Sequence, residues 1–272
     1  MIPPVPAALI LVLSVAAAVL VARRMTLTPG RDIRVGRCMT IGDREVQEDN
    51  YGVLENDAGT LLVLADGMGR KYGGRIAGRI AIETFLDLFK EYKAFEKPQY
   101  YFRKAFHAAN RAILNKVEDG RGSASVAAAL IADHTLYYAL AGNIKIAVYH
   151  GGDLVPVSEG HTVDVLARQK YLQGSLAKES AIALLDRRRL YNFVGHEGFK
   201  DIEFFSQPLP LRTGDAVVLC SDGVFETLRW REIEQELAQG RDAQQQALRI
   251  IERVNRSKLP NKDNASIVIY RC

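Results

Sequence analysis

The sequence predicts an α+β domain of layered helices and antiparallel strands, preceded by one membrane-spanning helix. Three observations lead there. Residues 1–22 carry no charged side chain, and Arg23 and Arg24 follow at once. Strand-like segments at 125–132, 135–141 and 144–150 follow one another across turns too short for parallel crossovers. Helical patterns come in pairs between strand runs, which disfavours a doubly wound sheet.

The terminal run comes first. Residues 7–22 are almost entirely Ala, Val, Leu and Ile, with Ser14 the polar exception. About 20 such residues, at roughly 1.5 Å each, cross a bilayer core. Pro3, Pro4 and Pro6 sit at its start, where a helix tolerates proline best. Basic residues flanking a span stay cytoplasmic. Residues 1–24 are thus expected as a single-pass anchor in the cell membrane, with everything after Arg24 cytoplasmic. A cleaved signal peptide is the alternative, but no basic residue precedes the apolar run. Cys38, Cys220 and Cys272 are odd in number and far apart, which is no disulfide framework and suits a reducing compartment.

The rest of the chain divides simply. Residues 25–32, with Thr, Pro and Gly, read as a linker, and 33–272 as one mixed α and β domain. Strands rich in Val, Ile, Leu and Tyr are expected at 60–65, 125–132, 135–141, 144–150, 216–221 and 265–270. The middle three read as a continuous meander. Helical periodicity starts near Gly74 and runs through Ile80, Phe85 and Phe89. It recurs at 100–117, 163–172, 178–188, 230–237 and 242–254. The 272 residues are 48% hydrophobic and 25% charged, which excludes wholesale disorder. The net charge of +4 is too small to argue for nucleic acid, which usually needs a clustered basic face.

Four acidic spots stand beside apparent strand ends: Glu48-Asp49, Asp66, Asp222 and Asp263. Asp66 and Asp222 follow long apolar runs, where a carboxylate is costly unless it pairs or binds a cation. Carboxylates converging without His or Cys select hard cations such as Mg²⁺ or Mn²⁺. The five histidines, His107, His134, His150, His161 and His196, have no zinc spacing and read as surface or structural, although His161 lies in a motif region.

The set in order resembles a known family. It comprises Arg44 with Glu48-Asp49, then Asp66-Gly67-Met68-Gly69, Ser221-Asp222-Gly223 and Asp263-Asn264. It is similar to the metal-dependent serine/threonine phosphatases of the protein phosphatase 2C class. Met68, where animal members commonly have histidine, points to the bacterial branch. The resemblance runs from about Val35 to Arg271, and takes in Gly122-Ser123-Ala124 and Glu159-Gly160-His161-Thr162.

The resemblance implies a four-layer α-β-β-α sandwich of two antiparallel sheets flanked by helices. It implies two Mn²⁺ or Mg²⁺ ions bridged by water. Asp66 would bridge both ions, Glu48 and the Gly67 carbonyl would complete one site, and Asp222 and Asp263 the other. Asp49 would act through water. Arg44 would bind the substrate phosphate with its bidentate guanidinium. Asp66 and Arg44 are therefore the expected catalytic pair, acting on phosphoserine and phosphothreonine of protein substrates and opposing a Ser/Thr kinase at the membrane.

The chain departs from the family pattern at several places. Asn143 stands where many members carry an aspartate for a third metal, and its one neutral carbonyl oxygen puts that metal in doubt. Arg70 replaces a glycine and reads as a solvated residue, with contact to a phosphoprotein substrate near the cleft as the alternative. Residues 163–205 correspond to the variable flap, in which Arg187, Arg188 and Arg189 are basic.

Two rivals are weighed. One is a phosphatase-like sensor or scaffold without strong catalysis, disfavoured because the main ligand positions and Arg44 are all present. The other is a cysteine-dependent phosphatase, since Cys38 and Arg44 match Cys-x5-Arg. Asp43 would then repel a bound phosphate, and Thr40 and Ile41 replace the glycines that let amides cradle it. Cys38→Ser is expected to retain phosphate release from a phosphothreonine peptide while a chelator abolishes it. The opposite pair of outcomes would assign the chemistry to the thiol.

Overall fold

The computed structural model describes residues 34–117, 121–185, 189–240 and 242–272. The expected anchor (1–24) and linker (25–32) lie outside the described residues, as do Arg187 and Arg188. Among the described residues no helix is long and apolar enough to cross a membrane.

Two antiparallel sheets form the centre. The first orders its strands β1 (Val35–Thr40), β11 (Ala265–Arg271), β10 (Ala216–Cys220), β6 (Lys145–His150) and β7 (Asp153–Pro156). The second orders β2 (Asn50–Asn56), β3 (Gly59–Gly69), β4 (Gly122–Ala132), β5 (Thr135–Ala141) and β8 (Glu203–Phe204), with β9 (Leu209–Pro210) also pairing β5. Helices α1 (Gly73–Glu91) and α2 (Pro98–Lys116) cover the second sheet. On the first sheet lie α5 (Asp222–Thr227), α6 (Trp230–Leu237) and α7 (Ala243–Arg256). The flap region holds α3 (Val163–Leu172) and α4 (Lys178–Ile182).

Strand alternation builds the layers. In β10, Val217 and Leu219 join the core cluster shared with β3 and β4, while Ala216, Val218 and Cys220 face the helical side with Ile233, Ala247 and Ile250. Both faces of β10 are buried, so it reads as a continuous apolar run. On the other flank, Phe85 of α1 packs edge-to-face on Phe106 and Tyr101 of α2, with centroids 4.9 and 6.4 Å apart. The Tyr101 hydroxyl donates to the Phe85 carbonyl at 2.7 Å, so that buried ring is not left with an unpaired polar tip.

Local chemistry sets the turns. The β2–β3 hairpin closes where Asn56 Oδ1 accepts from the amides of Ala58 (2.9 Å) and Gly59 (3.2 Å). Pro98 opens α2, where its missing N–H costs nothing. Asp242 caps α7 by accepting from the Gln245 amide at 2.7 Å.

The structure corrects the expected meander. β4 and β5 pair as expected, but β6 does not continue their sheet. At Gly142-Asn143 the chain crosses to the other sheet, where β6 pairs β10 and β7. Gly142 takes φ +120°, a turn that redirects the chain instead of folding it back. β3 also runs beyond 65 to Gly69, so Asp66 lies within the strand and not after it. The expected helix at 178–188 is short, ending at Ile182. Strands β2, β7, β8 and β9 and helix α5 had no clear pattern in the sequence.

Phe85 is fully buried. Phe85→Ala should therefore cost about 3–5 kcal/mol, read as a lower urea midpoint.

Candidate metal centre

The expected acidic positions come together at one end of the sandwich. Asp66 comes from β3 of the second sheet. Asp222 begins α5 after β10, and Asp263 precedes β11, both from the first sheet. Glu48 and Asp49 lie in the loop between β1 and β2. Glu48, Asp66, Gly67, Asp222 and Asp263 line a cleft of about 610 Å³ together with Arg44, Asn143 and Ser125. A larger groove of about 840 Å³ lies between α5, α6 and α7. Its charged groups engage one another, Arg253 with Glu236 at 2.7 Å and Arg256 with Glu252 at 3.5 Å. Chemistry rather than size therefore selects the smaller cleft.

Two loops are stitched together to make this site. The Asp43 amide donates to the Lys262 carbonyl, and the Lys262 amide donates back to Asp43 Oδ2, both at 2.9 Å. Asn264 bridges further: its Oδ1 accepts from the Glu48 amide at 2.7 Å, and its Nδ2 donates to the Ile41 carbonyl at 2.9 Å. These bonds bring Arg44 and Glu48 against Asp263. Close backbone approach does the rest. A Cβ on Gly74 would lie 2.4 Å from Glu48 Oε1, so only glycine admits that carboxylate at the start of α1.

The carboxylates are mutually uncomfortable. Burial, then the charges of Asp222, Asp49, Asp263 and Glu48, hold Asp66 well above the ordinary carboxylate range. Asp49 is buried, and desolvation pushes it up to about 7, although Ser221 Oγ donates to it at 2.8 Å. Asp222 rises to about 6, again mainly through burial. Glu48 is raised by burial, and the Arg75 and Gly74 amides partly counter this.

Cationic and amide groups offset some of this charge. Arg44 forks onto Asp263, Nε to Oδ1 at 2.9 Å and Nη2 to Oδ2 at 2.7 Å. Asn143 Nδ2 donates to Asp222 Oδ2 at 3.0 Å. Among the described residues no three His, Cys, Asp or Glu side chains are gathered tightly enough to hold an ion in this arrangement. The donor set still fits a hard divalent cation. It is all oxygen, it is strongly anionic, and Glu48 Oε1 is buried with no hydrogen-bond partner.

Other expected residues fall elsewhere. Arg70 is exposed and does not line the cleft, but its neighbour Lys71 does, held at φ +59°. Cys38 sits on β1, half-buried and away from the cleft, and burial raises its thiol pKa, the wrong direction for a nucleophile. His161 is buried, and desolvation lowers it to about 4, which keeps the ring neutral; its Nδ1 accepts from the Gly142 amide at 3.1 Å. Sequence reasoning missed Lys71 and Ser125. Ser221 and Asn264 were within quoted motifs, but their roles, holding Asp49 and bridging the loops, need the folded chain.

Known proteins resemble this chain in sequence and fold. The family model described as protein phosphatase 2C matches residues 39–258. A serine/threonine phosphatase stp of Listeria monocytogenes is 28% identical over 235 residues, covering 83% of this chain and 90% of that protein. A Streptococcus agalactiae serine/threonine phosphatase structure superposes with TM-score 0.72 at 21% identity, over 88% of this chain and 99% of that one. The catalytic domain of the serine/threonine protein phosphatase PstP, solved with two manganese ions, superposes with TM-score 0.68 at 25% identity, over 88% and 97%. The chain therefore belongs to the protein phosphatase 2C family, as a bacterial-type protein serine/threonine phosphatase.

The carboxylate burial has a pH consequence. An unfolded aspartate titrates near 3.8, whereas folded Asp49 titrates at about 7. Between these values the folded state keeps a proton that the unfolded chain has released, so raising the pH removes stability. In metal-free protein, wild type should lose stability more steeply than Asp49→Asn as pH rises from about 4 to about 7, read from urea titrations. Parallel profiles would show that Asp49 stays ionised when folded.

Proposed function

We propose that this chain hydrolyses phosphoserine and phosphothreonine esters on protein substrates with two divalent cations, Mn²⁺ or Mg²⁺. The observation carrying the reading is the meeting of Glu48, Asp66, Asp222 and Asp263 with Arg44 in one cleft. The two manganese ions described for the PstP catalytic domain support it. Asp66 would face both cations, with Glu48 and the Gly67 carbonyl on one and Asp222 and Asp263 on the other. Asp49 would act through water from its buried place behind them.

The chemistry those cations supply when bound is neutralisation of phosphoryl charge and a lower pKa for the attacking water. The protein's own groups do the rest. Arg44 presents two N–H donors in a fork that matches a phosphate as well as it matches Asp263. Its role is to orient the phosphoryl group and stabilise charge as the ester bond breaks. Met68 lines the cleft but has no proton to give, so the leaving alkoxide takes its proton from solvent in the open cleft. No protein nucleophile is needed.

The apolar residues 1–22 with Arg23 and Arg24 support a single-pass anchor in the cell membrane. The catalytic domain would then act in the cytoplasm against a membrane Ser/Thr kinase.

With the full chain, a phosphothreonine peptide should release phosphate in Mn²⁺, and excess chelator should stop it. Asp66→Asn should lower the rate by about a hundredfold or more, and Arg44→Ala by a similar order. Metal-independent release, or full activity in Asp66→Asn, would overturn the reading.

A further inference from the structure

We propose that Asn143 is a positioning residue that sets the Asp222 carboxylate, and that Ser125 in turn sets Asn143. The inference rests on the reading of Asp222 as a metal ligand and adds what holds it in place.

Three contacts build the relay. Asn143 Nδ2 donates to Asp222 Oδ2 at 3.0 Å. Ser125 Oγ donates to Asn143 Oδ1 at 2.9 Å. The Asn143 amide leans back on Ser125 Oγ at 3.4 Å. Asn143 is thereby fixed at both its amide oxygen and its main chain, and one N–H of its side-chain amide points at one carboxylate oxygen. An aspartate in this place could not donate and would repel Asp222.

The backbone is shaped for this. Gly142 stands at φ +120°, and a Cβ there would lie 2.3 Å from Ser125 Cβ and Oγ. Glycine therefore lets Ser125, wholly buried on β4, come under the loop. Behind it, the His161 amide donates to the Gly142 carbonyl at 2.7 Å, and His161 Nδ1 accepts from the Gly142 amide at 3.1 Å. Ser125 belongs to the second sheet and Asp222 follows the first. Asn143 sits where the chain crosses between them, so the relay links the two halves of the cleft.

The consequence is orientational. Holding Oδ2 of Asp222 limits how that carboxylate can turn. Partners of this kind, standing behind a metal ligand, are typically worth 10–100-fold in metal affinity.

The test is calorimetric titration of Mn²⁺ into the full-length metal-free chain. Asn143→Ala and Ser125→Ala should each weaken Mn²⁺ binding by about tenfold or more. The double variant should bind about as well as Asn143→Ala alone, because the two residues act as a unit. Asp222→Asn serves as the reference. If it weakens Mn²⁺ binding while Asn143→Ala and Ser125→Ala do not, the positioning role is overturned and the metal reading stands. Additive losses in the double variant would likewise overturn the relay. If Asp222→Asn binds Mn²⁺ as wild type does, the metal reading itself fails, and the relay with it. Should Asn143→Ala not fold, Ser125→Ala, which leaves the Asn143 side chain in place, decides on the same criterion.

Discussion

The structure is organised around a concentration of negative charge in a poorly hydrated place. Glu48, Asp49, Asp66, Asp222 and Asp263 meet where the two sheets end, and the first four of them sit above their ordinary pKa. Desolvation and like-charge repulsion both oppose such a gathering. A fold keeps it only if other groups offset the charge. Here Arg44 forks onto Asp263, Ser221 donates to Asp49, Asn143 donates to Asp222, and the amides opening α1 face Glu48. What these groups leave uncompensated is the electrostatic argument for cations.

Much of the surrounding architecture serves that gathering. The acidic side chains come from both sheets and a connecting loop, so the sheets must stay in register at this end. The Asp43–Lys262 and Glu48–Asn264 bonds tie the loops. Glycines let backbones approach where a side chain would collide. Gly74 admits the Glu48 carboxylate, and Gly142 admits Ser125. The apolar layers behind, from Phe85 on one flank to Ile250 on the other, hold the sheets that carry these carboxylates.

The sequence made the site more legible than the path of the chain. Asp66, Asp222 and Asp263 were readable because a carboxylate beside a buried strand needs a reason, and because their motifs occur in a specific order. The paired helices were readable from their apolar period. The crossover at Gly142-Asn143 was not, because a glycine-containing turn between strand patterns reads equally as a hairpin. The extension of β3 through Asp66-Gly67-Met68-Gly69 was hidden because glycine normally weakens a strand. There the ladder continues regardless, pairing Asp66 with Ser125 and Gly69 with Gly122. Arg70 is exposed, as its solvated reading has it, while Lys71, in the left-handed turn beside it, lines the cleft without having given a signal in the sequence. Ser125 gave no signal, because a serine in an alanine-rich strand has no pattern of its own.

Family membership, carboxylate geometry and residual charge agree on a protein phosphatase whose acidic cleft is completed by divalent cations. The most direct measurement is the melting temperature of the full chain at neutral pH as Mn²⁺ is titrated in, with Asp66→Asn beside it. A ligand at a hundredfold excess over its Kd stabilises the folded state by about 2.7 kcal/mol. The account predicts a saturable rise of several degrees for wild type and a largely lost rise for Asp66→Asn. A wild-type melting temperature indifferent to Mn²⁺ and Mg²⁺, or an equal rise in the variant, would contradict it.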